Sequence, residues 1–160
     1  MIASDDHDLL RRLVDHVVDL SIQHVTSGGI PFTALVTDNR GKILGTGANR
    51  VLVDNDPTAH AEVVAIRNAS KSRHVSSLQG ATLIASGEPC AMCYMNALWA
   101  GIGQVIFAVD RHGAAKAGFD YRNSYGLFAT DPLNWTIDVC QHSTEKAFYP
   151  FELWQQRRKH

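Results

Sequence analysis

An α/β protein of three layers, with a central mixed sheet of about five strands and helices on both faces, is the fold this sequence predicts. Three observations carry the prediction. Apolar residues recur at helical steps near the N-terminus, and two strand-like runs flank a tight turn within 32–47. From Ala81 onward short apolar runs alternate with helical ones, the pattern of βαβ crossovers and at least partly parallel pairing. At 160 residues, with 45% apolar and 19% charged side chains, the chain is sized for one domain, 1–160, with a single substantial core.

Residues 5 to about 26 set Leu9, Leu10, Leu13, Val14, Val17, Val18 and Val25 on one stripe, and Asp5, Asp6 and Asp8 suit the positive end of a helix dipole. Ser27-Gly28-Gly29-Ile30-Pro31 breaks that helix. Phe32 to Thr37 and Lys42 to Gly47 then read as a hairpin around Asp38-Asn39-Arg40-Gly41. Gly45-x-Gly47 lacks the third glycine and the following helix of a dinucleotide loop, so no phosphate site is expected there. Val51 to Asp56 reads as a loop. Pro57 and Thr58 open a second helix that buries Val63, Val64 and Ile66 and projects His60 and Glu62 from its first turn. Thr82 to Ala85 is a strand that turns at Ser86-Gly87-Glu88-Pro89 into a helix starting near Cys90, and Gln104 to Val109 is a fourth strand. Ala114 to Gly118 adds a helical turn and Phe119 to Asp131 is loop-like. Trp135 to Val139 reads as an edge strand, and Thr144 to Gln156 as a closing helix with Phe148, Phe151, Leu153 and Trp154.

The net charge of -1 argues against a protein that lives on a nucleic-acid backbone, and Arg157-Arg158-Lys159 reads as a solvated tail. No apolar run is long enough to span a bilayer, and the start, Met1-Ile2-Ala3-Ser4-Asp5-Asp6, lacks the regions of a secretory signal, so a cytoplasmic protein is expected. Three cysteines, two of them in one C-x-x-C, argue against a disulfide framework; Cys140 reads as a small buried apolar residue.

The chemistry concentrates in His60-Ala61-Glu62 and Glu88-Pro89-Cys90-Ala91-Met92-Cys93. One imidazole and two thiols are three good zinc ligands, and catalytic zinc wants three protein ligands with a further position open. Cys90 and Cys93 share a helix face by their spacing, and a helix N-terminus favours their thiolate forms. Glu62 is placed to exchange protons with water activated at the metal, general acid/base work typically worth about 10² to 10⁴ in rate. Taken alone, C-x-x-C also fits a redox pair or half of a structural zinc site, for which Cys140 and His112 are the available fourth ligands. H-x-E followed by P-C-x-x-C is the signature of zinc deaminases acting on nucleobases.

From roughly Asp8 to its end the chain resembles the cytidine deaminase-like superfamily, and within it the bacterial guanine deaminases. The stretches Asn55-Asp56-Pro57-Thr58-Ala59-His60-Ala61-Glu62-Val63 and Ala117-Gly118-Phe119-Asp120 carry the closer likeness. The resemblance implies one zinc ion per chain on His60, Cys90 and Cys93, with Glu62 catalytic. It implies substrate contacts from Asn49 to the purine ring, from Phe32 and Trp99 walling the base, and from Glu145 to the substrate amino group. Asn49 reads otherwise as a strand-ending cap, and Phe32 and Trp99 as core. The implied reaction is deamination of a free purine, guanine giving xanthine and ammonia, by a homodimer whose C-terminal segment is exchanged between subunits. Two departures fall where substrate is selected: Tyr121 stands where the pattern has a second Asp after Gly118-Phe119-Asp120, and the chain ends Arg157-Arg158-Lys159-His160 without a terminal aromatic. Guanosine, cytosine, a triazine and adenosine in tRNA remain alternative substrates, and a non-catalytic zinc-stabilised binding module is the alternative of another class.

Overall fold

The computed structural model describes residues 6–158, so Asp5 of the expected first helix and Lys159 and His160 of the basic tail lie outside the described residues. Two compact units divide the chain, Met1–Phe128 and Ala129–His160.

In the first unit, α1 (His7–Thr26) begins at Asp6, whose carboxylate accepts a hydrogen bond from Leu9 N at 3.0 Å. β1 (Thr33–Thr37) and β2 (Ile43–Ala48) form the expected hairpin, β3 (Thr82–Gly87) lies antiparallel to β1, and β4 (Gln104–Val109) runs parallel to β3. The sheet therefore has the order β2-β1-β3-β4. Helix α3 (Ala61–Arg73) follows a short α2 (Val51–Asp54), and α4 (Ala91–Trp99) is the crossover between β3 and β4.

Strand alternation sorts the core into two layers. Leu35 of β1 and Ile84 of β3 pack on Leu13 and Val17 of α1, with Ile106 of β4 beside them. Their neighbours Ala34, Val36, Leu83 and Ala85 point the other way, onto Ala61, Ala65, Ile66 and Ala69 of α3 and Ala97 of α4. Because both faces are covered, β1 and β3 are buried along their whole lengths, the continuous apolar reading expected of central strands.

The two glycines of β2 have a packing reason. A Cβ at Gly47 would lie 2.5 Å from Ala61 O and Ala65 N, and one at Gly45 would collide with Ala69 N. Helix α3 thus rests on bare backbone, while Asn68 Nδ2 donates to Thr46 O (2.8 Å) and Ser72 Oγ to Leu44 O (2.7 Å). Gly47→Ala is expected to cost about 1–3 kcal/mol, as overpacking does, and to push the start of α3 outward; urea denaturation measures the first, and an unchanged midpoint contradicts it.

Several boundaries differ from the sequence reading. The helix expected from Pro57 starts at Ala61, because Asp56 Oδ1 folds Thr58 into a turn by accepting from its N (2.8 Å) and Oγ1 (2.7 Å). The 51–56 loop contains α2, closed by Arg50 gripping Asp54 four residues on (2.8 and 2.9 Å) and ended by Asn55 in the left-handed region. Of the stretch read as Ala114 to Gly118, Ala114 to Lys116 belong to α5 (Arg111–Lys116) and the rest is the turn that ends it, and the 119–131 loop holds a further short helix, α6 (Asn123–Phe128).

In the second unit, Trp135 to Val139 forms no strand, so the sheet has four strands among the described residues and not about five. β-type side chains become a strand only where another backbone pairs with them. Cys140, expected to be buried, is exposed. The closing helix, α7 (Tyr149–Arg157), starts late because Pro150 is tolerated in a first turn but not in a helix interior. No helix among the described residues is long and apolar enough to cross a membrane.

Candidate metal centre and active site

His60 and Cys90 are each the residue capping a helix N-terminus, in extended backbone conformation, at the heads of α3 and α4 respectively. The two helix starts converge. Cys90 Sγ lies 3.6 Å from Cys93 Sγ and 3.6 Å from His60 Nδ1, and Cys93 Sγ lies 3.5 Å from the same nitrogen. Zinc bonds near 2.3 Å to sulfur and 2.0–2.1 Å to nitrogen give a tetrahedron with edges of roughly 3.5–3.8 Å. The donor set therefore fits zinc in both chemistry and spacing. No other His, Cys, Asp or Glu joins these three among the described residues; of the fourth-ligand candidates, His112 is in α5 and Cys140 belongs to the second unit.

The electrostatics favour a cation. The Cys90 thiol is pulled down to about 4 by the hydrogen bond from Cys93 and by the neighbouring His60. That same bond, with burial, pushes the Cys93 thiol up, and the bond to Cys90 raises His60. Filling the site with metal must displace the Cys93 proton, so zinc uptake is expected to weaken as pH falls. Glu62 sits in the first turn of α3, 5% exposed, with Oε2 at 3.4 Å from Cys93 Sγ. Burial raises its pKa above the ordinary carboxylate value, the shift expected of a group that both takes and gives protons.

A cavity of about 610 Å³ opens beside this cluster, walled by His60, Glu62, Asn49, Phe32, Tyr121 and residues 51–53, among others. Phe32 is half-buried and meets Phe119 edge-on, ring centres 5.2 Å apart, and Tyr121 at 6.3 Å. Asn49 Oδ1 accepts from Val51 N, the first residue of α2, at 3.2 Å, and the residue also faces the cavity. Trp99 is not among the cavity residues. It ends α4, nine residues past Cys90 and so about 13 Å along the axis, and it is 82% exposed in a separate shallow groove with Ile66 and Arg67. Glu145 lies exposed in the second unit, before α7.

Sequence reasoning gave Glu88 no role of its own and read 119–125 as loop, with Tyr121 a departure in the substrate-selecting part. The Glu88 carboxylate is buried and accepts from Arg111 N (2.7 Å), the Arg111 guanidinium (2.8 Å) and Tyr94 Oη (3.3 Å). Arg111 in turn stacks on Tyr125, 3.6 Å from the ring centre. The signal was present in Glu88-Pro89-Cys90, where an acidic residue next to the ligand loop needed a cation some twenty residues on. Arg111 holds the Glu88 carboxyl below its ordinary value of 4.5. A depressed carboxylate contributes stability above its unfolded pKa and loses it as pH falls through the folded one. The stability gap between the parent and Glu88→Gln should thus be widest at neutral pH and close below 4.5; a gap independent of pH in urea titrations contradicts this.

A three-layer α/β fold with an imidazole and two thiols at two facing helix starts defines a metal-centred hydrolase. Residues 7–109 match the cytidine and deoxycytidylate deaminase zinc-binding region, and the chain belongs to that family; it is an enzyme of the zinc-dependent aminohydrolase class. The guanine deaminase of Bacillus subtilis (strain 168) is 37% identical over 139 residues, 86% of this chain and 88% of the relative. The crystal structure of guanine deaminase from Bacillus subtilis superposes with a TM-score of 0.84 at 35% identity, covering 91% of this chain and 93% of that one. The tRNA-specific adenosine deaminase of Haemophilus influenzae is 31% identical over 130 residues, 80% of this chain and 72% of the relative. A further solved structure, a complex with 2,6-diaminopurine, superposes with a TM-score of 0.66 at 27% identity over 73% of this chain and 68% of that one.

Proposed function

We propose that the chain deaminates a free purine base by hydrolysis, guanine giving xanthine and ammonia. The observation that carries this is the buried Glu62 carboxyl beside a triad with no fourth protein ligand among the described residues, opening on a cavity large enough for a base. Zinc on His60, Cys90 and Cys93 supplies a Lewis acid that makes water a usable nucleophile near neutral pH.

Glu62 performs the proton work. It accepts one proton from the attacking water and gives it to a ring nitrogen, then takes the second from the hydroxyl on the tetrahedral carbon and gives it to the amino group, which leaves as ammonia as the carbonyl forms. Asn49 orients the ring: with Oδ1 engaged by Val51 N, its Nδ2 is the group left to donate to an acceptor on the heterocycle. Phe32 supplies an aromatic face to the base. Glu145 is assigned to the substrate amino group, from a segment exchanged within a homodimer; solution mass is expected to correspond to two chains, and deleting 129–160 is expected to abolish turnover.

The relatives at comparable identity include a tRNA adenosine deaminase, yet the net charge of -1 offers little for an RNA stem. Tyr121 in place of a second acidic residue is the feature that favours a different small amine over guanine. Ammonia release from guanine, guanosine, cytosine, a triazine and tRNA, measured with zinc-loaded protein, separates these. Guanine is expected to turn over fastest; release from another amine alone replaces the substrate, and release from none leaves the zinc-stabilised binding module.

A further inference from the structure

The turn that delivers the two thiols is held from outside by one short segment. Tyr121 Oη donates to Glu88 O at 2.5 Å and Tyr125 Oη donates to Pro89 O at 2.5 Å. Ser124 Oγ accepts from Ala91 N at 3.2 Å. Three side chains within five residues thus take three backbone groups of residues 88–91, on both sides of Cys90. The turn is tied at its base as well, where Glu88 N donates to Val109 O at 2.7 Å and Arg111 grips the Glu88 carboxylate. Each of these bonds fixes the backbone from which Cys90 projects.

We propose that Tyr121, Ser124 and Tyr125 are positioning residues for the metal, a clamp that keeps Cys90 and Cys93 at ligand spacing. Both tyrosine protons are committed to carbonyl oxygens, so the Tyr121 hydroxyl offers a ligand in the cavity only lone pairs and its ring an aromatic edge. Its position along the chain is therefore spent on holding the turn. Residues that orient ligands in this way typically change metal affinity by about 10- to 100-fold when removed.

The proposal rests on the zinc reading of the site, and its test separates the two. Zinc affinity of the full chain is measured by competition with a chelator, together with the visible spectrum of the cobalt(II)-substituted protein. Tyr121→Phe and Tyr125→Phe are each expected to weaken zinc about tenfold and to shift the cobalt bands, with turnover restored by excess zinc. Tyr149→Phe, an exposed tyrosine of the second unit, is expected to match the parent. Should a tyrosine variant fail to fold, Ser124→Ala carries the test, since it removes one hydroxyl from a half-buried residue; a several-fold weakening supports the clamp. Variants that bind zinc within twofold of the parent, with parent-like cobalt spectra, overturn the clamp alone. A parent chain that takes up no zinc overturns the site reading and the clamp with it.

Discussion

Glu62→Gln is expected to retain one zinc per chain and to lose about 10² to 10⁴ in ammonia release, the range general acid/base groups supply. The substitution keeps side-chain size and hydrogen-bonding reach, so the buried position in α3 stays filled. What it removes is the ability to carry a proton between water and the leaving group. The raised pKa of Glu62 comes from burial first, and it brings the carboxyl nearer the operating pH, where a group that works in both directions is most effective. Metal analysis and a coupled ammonia assay on the same preparation check the prediction. Full turnover in the variant contradicts the role given to Glu62.

The second large effect concerns the fully buried thiol. Cys93→Ala is expected to reduce zinc content from one per chain to near none after dialysis against a weak chelator, with turnover at background. An imidazole and one thiol then remain, with the Glu62 carboxylate 3.4 Å from the position of the lost sulfur, and two of the three ligands hold zinc far less tightly than the full set. Because Cys93 is fully buried, the truncation also leaves a small cavity in α4, so stability should fall even without metal. Elemental analysis separates the two consequences: a variant that is less stable yet still holds a full equivalent of zinc contradicts the ligand assignment.

The candidate metal ligands and Glu62 were legible in the sequence because their pattern is local. His60 with Glu62, and Cys90 with Cys93, each come from a single helical turn, and a helix start is announced by its own side chains. The central strands were legible for a related reason: β1 and β3 are covered on both faces and read as unbroken apolar runs. Trp99 illustrates what was not legible. Its place near the P-C-x-x-C motif in sequence says nothing of the axial distance that a helix puts between residues 90 and 99. Glu88 and Tyr121 were hidden because their partners lie more than twenty residues away, at Arg111 and at the Glu88 carbonyl itself. Pairings of that kind follow from which elements the fold brings together. The missing strand at Trp135 to Val139 is the same lesson in backbone form, since strand composition without a pairing neighbour makes no sheet.

The glycines of β2 connect fold to site. Gly47 admits the backbone of Ala61, which lies between His60 of the metal site and Glu62. The close approach of α3 to the sheet therefore sets the depth of both side chains, and the Gly47→Ala variant should lose turnover along with stability.

The measurement that bears most directly on the whole account is X-ray absorption at the zinc edge of the full-length protein. The account predicts two sulfur neighbours, from Cys90 and Cys93, with the remaining neighbours nitrogen or oxygen. A shell with no sulfur, or one with three or four, contradicts it, because then the metal is not held by His60, Cys90 and Cys93 beside Glu62.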